Sequence, residues 1–176
     1  MDFFPKHKSR VATLILCDCF FDYKILSDAK QKEFINLRQE PLKSGKTLEQ
    51  IAPKLIDSLV GPNCKKEARD IIYNSFLSIH IDSYLKTIAE TISYDASNNL
   101  SEFDVPTQLI YGEYDQLTPV SIGKMAQKKI SNSSLSIIKN AGHLSNIEQP
   151  DAFNTIIDNF LSKHKNLAIY NKDKST

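Results

Sequence analysis

Apolar and polar positions in the second half of the chain alternate between the patterns of strands and helices. Thr107 to Tyr111, introduced by Pro106, and Leu135 to Lys139 are short apolar runs typical of buried strands. A stripe of apolar residues at helical spacing lies between these runs, and a second stripe begins after Pro150. The order strand, helix, strand, helix predicts an α/β fold with a parallel sheet and helices packed on it.

The beginning of the chain contains one further predicted strand. Val11 to Cys17 is apolar almost without alternation, as is typical of a parallel strand covered on both faces. Basic residues followed by this apolar run resemble a signal peptide, but Asp18 interrupts the run and no small-residue cleavage site follows. Because the run is also too short to cross a bilayer, we expect a buried strand. Pro5 is expected to terminate a short helix before it.

The middle of the chain, from Asp22 to Asn99, carries only helical patterns. Ser27 can cap a first helix, and Thr47 with Gln50 forms a capping box at the start of a second helix. Further helices are indicated by two more apolar stripes, Ala68, Ile71, Ile72, Phe76 and Ile79, then Leu85, Ile88, Ala89 and Ile92. The pattern therefore predicts a block of four helices inserted between strands.

These patterns divide the chain into four parts. Residues 1–21 form a core fragment with a helix end and a strand, and residues 22–101 form the helical block. Residues 102–165 complete the core, with three parallel strands in all, and residues 166–176 are expected to be a tail.

Two candidate catalytic residues follow the last two predicted strands. Asp115 lies in the run Gly112-Glu113-Tyr114-Asp115, and His143 ends the run Ala141-Gly142-His143, 28 residues later. Loops at the carboxyl ends of neighbouring parallel strands meet at one edge of a sheet. We therefore expect the Asp115 carboxylate to orient the His143 imidazole as a general base. The alternatives are an ordinary turn aspartate and a loop histidine bonded to backbone.

These motifs, with Asp104-Val105-Pro106-Thr107 and Ile147-Glu148-Gln149-Pro150, resemble the C-terminal half of the α/β-hydrolase family. The family order is nucleophile, acid, histidine, and Asp115 and His143 match the last two. The resemblance implies serine-type hydrolysis of an ester, lactone or similar carbonyl, without cofactor or metal, and it makes the helical block a lid. Gly45 to Thr47 and Ile51 to Pro53 are similar to the branch with 3-oxoadipate enol-lactonase-like esterases.

The nucleophile that this resemblance requires has no counterpart in the sequence. The 176 residues contain no Gly-x-Ser-x-Gly turn, and neither Ser9 nor Ser145 lies on a strand-to-helix elbow. We therefore expect a truncated chain that is inactive alone. The alternatives are a non-enzymatic remnant or interaction module, and one half of a split hydrolase. In the last case the open edge of the first strand is expected to cause self-association or to bind a complementing chain.

Asp18 is a second candidate for the acid, because some members of this fold place the acid after the strand that ends near Cys17. The other histidines, His7, His80 and His164, have no partner signal and are expected on the surface or on helices.

Composition narrows the functional classes. The chain is 41% hydrophobic and 24% charged with a net charge of +1, so nothing favours a nucleic-acid or membrane partner. Cys17, Cys19 and Cys64 have neither the number nor the spacing of a disulfide framework or zinc site. Reduced thiols indicate a cytoplasmic protein, and the expected partner is a small ester-like molecule.

Overall fold

The computed structural model describes the backbone of residues 1–172 and the side chains of residues 1–166. Within this part, three strands form one parallel sheet in the order β1-β2-β3. They are β1 (Leu14–Cys17), β2 (Thr107–Gly112) and β3 (Ser133–Ile138). In register, Leu14 lies opposite Thr107, which in turn lies opposite Ser133. The α/β class with three parallel strands is confirmed.

Helices cover the sheet and build the block between β1 and β2. In chain order the α-helices of the described part are α1 (Phe3–Lys6), α2 (Asp28–Arg38), α3 (Glu40–Lys43), α4 (Leu48–Asp57), α5 (Lys66–Leu77), α6 (Ile81–Ser93), α7 (Val120–Lys129), α8 (Ser145–Glu148) and α9 (Pro150–Lys172). Single 3-10 turns occupy Lys8–Arg10, Tyr23–Ile25 and Leu100–Glu102. No helix of residues 1–172 has both the length and the apolar character that crossing a membrane would require.

β2 is the central strand, and all six of its residues are buried. Its alternating side chains enter different cores: Leu109 and Tyr111 pack with α1 and α7, whereas Ile110 packs with residues of β3 and α9. Successive side chains of a strand point to opposite faces, so a strand covered by helices on both sides is apolar on both faces. This packing explains the apolar run Leu109 to Tyr111, whereas the buried amide of Gln108 bonds to Ser134 and Ser136 of β3.

The lid, helices α2 to α6, has cores of its own. The apolar stripe of α4 packs against α5 in one cluster, and α2 packs against α6 in another. The capping box is present: the Thr47 hydroxyl accepts from the Gln50 N–H at 3.4 Å, and the Gln50 side chain accepts from the Thr47 N–H at 2.9 Å. Ser27 caps α2 as predicted.

The prediction of four lid helices missed the short helix α3. Pro41 lies at its start, where the missing N–H of proline costs no hydrogen bond and its fixed φ suits a first helical turn. The same argument corrects the role of Pro5, which lies inside α1 and does not terminate it.

Several boundaries also differ from the predicted ones. β1 begins at Leu14 rather than Val11, because the Leu14 N–H donates to the Pro106 carbonyl just before β2 starts. β3 begins at Ser133, where polar residues pair with β2 without an apolar signal. α9 continues through the predicted tail as far as Lys172, and residues 173–176 of that tail lie outside the described residues.

Candidate active site

Asp115 lies in the loop after β2 and is almost completely buried. Its Oδ1 accepts hydrogen bonds from the backbone N–H groups of Leu117 and Thr118, both at 2.8 Å. Its Oδ2 accepts the Thr118 hydroxyl and lies 3.0 Å from Nδ1 of His143. The loop therefore folds around this carboxylate and holds it in one orientation.

His143 lies in the loop after β3, and its ring is held from one side only. Nδ1 faces the Asp115 carboxylate and is 3.2 Å from the Thr118 hydroxyl. Nε2 has no hydrogen-bond partner among the described residues, and the side chain is 22% exposed and lines a cavity under the lid. An Nδ1–H donated to Asp115 leaves Nε2 as the basic nitrogen of a residue that lines this cavity.

The electrostatics of Asp115 favour its ionised form. Burial by itself would raise the pKa of this carboxyl, but the hydrogen bond and charge of His143, with the hydrogen bonds from Thr118, hold it below its usual value. An ionised carboxylate beside Nδ1 fixes the imidazole tautomer and stabilises the protonated ring. The arrangement can therefore act as a general base oriented by an acid.

Close backbone contact brings the two loops together. A Cβ atom on Gly112 would overlap the carbonyl groups of Ala141 and Gly142, and one on Gly142 would overlap the backbone from Leu59 to Gly61. The His143 N–H donates to the Leu59 carbonyl at 2.6 Å. The two glycines therefore allow the β2 loop, the β3 loop and the lid to touch.

Glu148 connects the lid to the His143 loop. Its buried carboxylate accepts the Gly61 N–H at 2.7 Å and the Gly142 N–H at 2.8 Å. One side chain thus satisfies two buried donors from distant parts of the chain, where an unpaired donor would be costly.

Asp18, the alternative acid, lies after β1 and bonds elsewhere. Its Oδ1 accepts the Gly112 N–H at 2.8 Å, and its Oδ2 accepts the Ser145 hydroxyl at 2.6 Å. Burial raises the pKa of Asp18 to about 6, although both hydrogen bonds oppose the shift. No hydrogen bond joins Asp18 to His143, whereas Asp115 makes one. Asp18 therefore connects the end of β2, where the Asp115 loop begins, with Ser145 in α8, just after His143.

The cavity that His143 lines has a volume of about 270 Å³ and a mostly apolar wall. Its other lining residues come from the β1 exit and the lid: Phe20, Phe34, Arg38, Leu55, Leu59, Phe76, Tyr84, Ile88 and Thr91. Within the described residues, no group of three or more His, Cys, Asp or Glu side chains is arranged to hold a metal ion.

Several residues of this site were not found as site residues from sequence. The Thr118 hydroxyl bonds Asp115 and lies near His143, whereas α7 is preceded by Pro119 without a side-chain cap. Ser145 was considered only as a nucleophile, and Glu148 only as part of a motif. Their partners lie 127 and 87 residues away in the chain, so no local pattern could have indicated them.

Comparison with known proteins identifies the family. A family model of the abhydrolase group, described as TAP-like protein, matches residues 77–168, which is more than half of the chain. Monoacylglycerol lipase ABHD6 of Mus musculus is 33% identical over 96 residues, covering 54% of this chain and 28% of the lipase. A 2-hydroxy-6-oxononadienedioate/2-hydroxy-6-oxononatrienedioate hydrolase of Pseudomonas putida is 30% identical over 84 residues, covering 47% of this chain and 29% of that hydrolase.

Solved structures share the fold over nearly the whole chain. A thermophilic esterase from Thermogutta terrifontis superposes with a TM-score of 0.78 at 24% identity, covering 92% of this chain and 60% of the esterase. MenH from S. aureus superposes with a TM-score of 0.72 at 25% identity, covering 88% and 60%. The chain thus spans less than a third of these curated relatives and about 60% of these structures. With its parallel sheet and lid, this chain belongs to the α/β-hydrolase family.

Proposed function

We propose that Asp115 and His143 are the acid and base of a serine-type hydrolase that acts on an ester, lactone or similar carbonyl. The observation that carries the proposal is the 3.0 Å contact between His143 Nδ1 and the buried Asp115 carboxylate. It leaves Nε2 without a hydrogen-bond partner among the described residues, and His143 lines a mostly apolar cavity. This is the arrangement that a general base needs for nucleophilic catalysis.

In this mechanism His143 Nε2 takes the proton of a serine hydroxyl as the serine attacks the substrate carbonyl. Asp115 keeps the ring in the right tautomer and stabilises its protonated form. The protonated ring then gives its proton to the leaving group. In the second stage, His143 takes a proton from a water molecule as the water attacks the acyl-enzyme. It returns this proton to the serine oxygen as the bond between serine and the acyl group breaks. The serine must come from outside the 176 residues, because they contain no nucleophile turn.

The relatives support an ester or a related carbonyl compound as the substrate class. One is named a monoacylglycerol lipase, and a solved neighbour is an esterase. The apolar wall of the cavity suits the hydrocarbon part of such a molecule. The substrate we propose is therefore a small molecule.

A mutational experiment tests this role. The chain is produced with an added N-terminal segment from an α/β-hydrolase that carries the serine and oxyanion donors, and hydrolysis of p-nitrophenyl esters is followed. His143→Ala is expected to lower kcat by at least about a thousandfold, because the triad acts as a unit. The control is His80→Ala, which changes an exposed histidine. Undiminished hydrolysis by the His143→Ala variant would refute the proposal.

The second candidate is a non-enzymatic interaction module, favoured by the lack of a nucleophile turn in the 176 residues. It predicts that the purified chain hydrolyses no activated ester above a buffer blank. Turnover that a serine-directed inhibitor abolishes would contradict it.

We further infer that the chain associates through the edge of β1, either with itself or with a complementing segment. The support is that, within the described residues, β1 pairs with β2 alone. The cytoplasm is the proposed location, supported by the three free cysteines. Fractionation of the cells that produce the protein would test that location, and recovery with the membranes would contradict it.

A further inference from the structure

The lid contains a buried arginine that makes no ion pair with any described residue. Arg38, at the end of α2, is only 5% exposed. Among the described residues its guanidinium makes no ion pair and no hydrogen bond, whereas Arg69 on α5 pairs with Asp57 at 2.6 Å. Arginine side chains are almost never buried unless they are paired, because desolvation of the charge is costly.

A neighbouring ring holds the guanidinium in place. The central carbon of the Arg38 guanidinium lies 4.3 Å from the centre of the Phe34 ring, which is a cation–π contact. Burial lowers the pKa of Arg38 from its usual value, yet an arginine in a protein keeps its proton. The charge is therefore fixed in position, and its five donors are unused by the described residues.

These donors open onto the space beneath the lid. Within the described part, no completely enclosed side-chain nitrogen lacks a hydrogen-bond partner. The unbonded nitrogens of Arg38 therefore keep some access to solvent, and this residue lines two cavities. One is the cavity of about 270 Å³ that includes His143, and the other has a volume of about 290 Å³ and lies toward Gln116.

The charges around the two cavities differ. The wall of the His143 cavity contains no carboxylate, so nothing there neutralises Arg38. The second cavity contains Glu33, whose charge reaches Arg38 without an ion pair, and Asp57, which is engaged by Arg69. The His143 cavity thus has an apolar wall, a general base and one unpaired guanidinium.

We propose that Arg38 binds a carboxylate on the substrate, so that this hydrolase acts on an ester, lactone or ketone that also carries an anionic group. A guanidinium matches the two oxygens of a carboxylate in geometry and charge. The carboxylate pairs with Arg38, the apolar body lies along the lid side chains, and the carbonyl faces His143. This substrate class rests on the proposed hydrolase function, but its test does not require hydrolysis.

The test compares two ligands of the same shape and different charge. Binding of phenylbutyrate and of phenylbutyramide to the full 176-residue chain is measured by calorimetry at neutral pH. The unmodified chain is expected to bind the carboxylate at least about tenfold more tightly than the amide, as a charged hydrogen-bond pair should provide. Arg38→Gln is expected to reduce the ratio of the two affinities to about one, and Arg38→Lys is expected to retain part of the preference for the carboxylate.

A matched control separates this site from general charge effects. Arg10 also lies over a phenylalanine ring, that of Phe3, but on the surface. Arg10→Gln is expected to keep the full preference for the carboxylate. Glu33→Gln is expected to strengthen carboxylate binding, because it removes a carboxylate whose charge acts on Arg38.

Each other outcome contradicts the proposal. Equal binding of both ligands, no binding of either, or a preference that survives in Arg38→Gln would overturn it. If Arg38→Gln does not fold, as judged by circular dichroism, the NMR signal of the Arg38 side-chain N–H in the unmodified chain decides, since it must shift with the carboxylate and not with the amide. Loss of this preference leaves the roles of Asp115 and His143 untouched, and failure of the esterase assay leaves the carboxylate site untouched.

Discussion

At the residue scale, the hydroxyl of Thr118 contacts both Asp115 and His143. It donates to Asp115 and lies 3.2 Å from His143 Nδ1, so it adds a second support to the proposed acid. Asp115 and Asp18 are both buried at the same edge of the sheet, yet their pKa values move in opposite directions. The difference comes from partners: Asp115 has a histidine and several donors, whereas for Asp18 the cost of burial is larger than the effect of its hydrogen bonds.

Thr118→Val is expected to lower the free energy of unfolding at pH 7 by about 1.5–3 kcal/mol, the range for a hydrogen bond to a charged group. The lowered pKa of Asp115 stabilises the folded state above its unfolded-state pKa, and this contribution disappears as the pH falls through the lower folded-state value. The difference between variant and parent should therefore shrink in acid. Urea unfolding from pH 3 to 7 measures it, with Thr118→Ser as the control that keeps the hydroxyl. A difference that is constant with pH would show that Thr118 does not act through Asp115.

Asp18→Asn is expected to show the opposite pH dependence. The folded-state pKa of about 6 exceeds the usual value of 3.8, so the folded state binds the extra proton between these values. The stability from this proton is complete below the unfolded-state pKa and is lost as the pH rises through about 6. Between pH 3 and 7 the parent should therefore lose about 3 kcal/mol relative to Asp18→Asn, at 1.36 kcal/mol per pKa unit. Parallel stability curves for the two proteins would contradict this expectation.

At the scale of elements, the important contact joins the lid to the loop that carries His143. Gly142 lies directly against the backbone between α4 and α5, and Glu148 bonds to both segments. The lid is therefore packed against the β3 loop at the base of the candidate active site. If the lid backbone moves at this contact, the loop that carries His143 should move with it, relative to Asp115.

Gly142→Ala tests this close approach. The new Cβ would overlap backbone atoms of Leu59, Val60 and Gly61, which cannot move aside as a flexible side chain can. We expect a loss of about 3 kcal/mol, at the upper end of the usual cost of overpacking. The control is Gly45→Ala, where φ is +87° but no atom lies within 4 Å, so only backbone strain of about 1–2 kcal/mol is expected. Thermal unfolding of both variants compares the two costs, and an equal or smaller effect at Gly142 would exclude a tight contact.

At the scale of the whole molecule, the sheet has an edge that is unusual for a parallel sheet. Within the described residues β1 pairs only with β2, and its side chains are half-buried. The N–H groups of Leu14 and Asp18 donate toward β2. Because donors alternate along a strand, those of Ile15 and Cys17 point to the open side. An open edge of this kind is a template for another strand.

We therefore expect the chain to self-associate at tens of micromolar, on the order of concentrations at which exposed strand edges cause aggregation. Light scattering measures the mass. Ile15→Pro removes one outward donor without touching the ladder to β2 and is expected to reduce association, whereas Ile15→Ala, which loses a similar amount of packing, is not. A clean monomer of the parent chain at these concentrations would contradict the proposed association.

Much of the fold could be predicted because its signals are local. The apolar run of β2, the capping box at Thr47 and the start of α9 at Pro150 each depend on neighbouring residues. The Asp115 and His143 motifs follow strands, and the order of parallel strands predicts that their loops meet. The short helix α3 and the early start of β3 were missed because proline chemistry and polar strand residues give weak local patterns.

The sequence by itself determined the family, the order of the elements and the two residues that we propose as acid and base, because these depend on spacing along the chain. Only the tertiary structure decided how the candidate site is supported and which side chains line its cavity. Asp18 reaches Ser145, Glu148 reaches Gly61, and Arg38 comes to share a cavity with His143. These contacts join residues far apart in the chain, and whether a buried charge finds a partner depends on packing that no local pattern records.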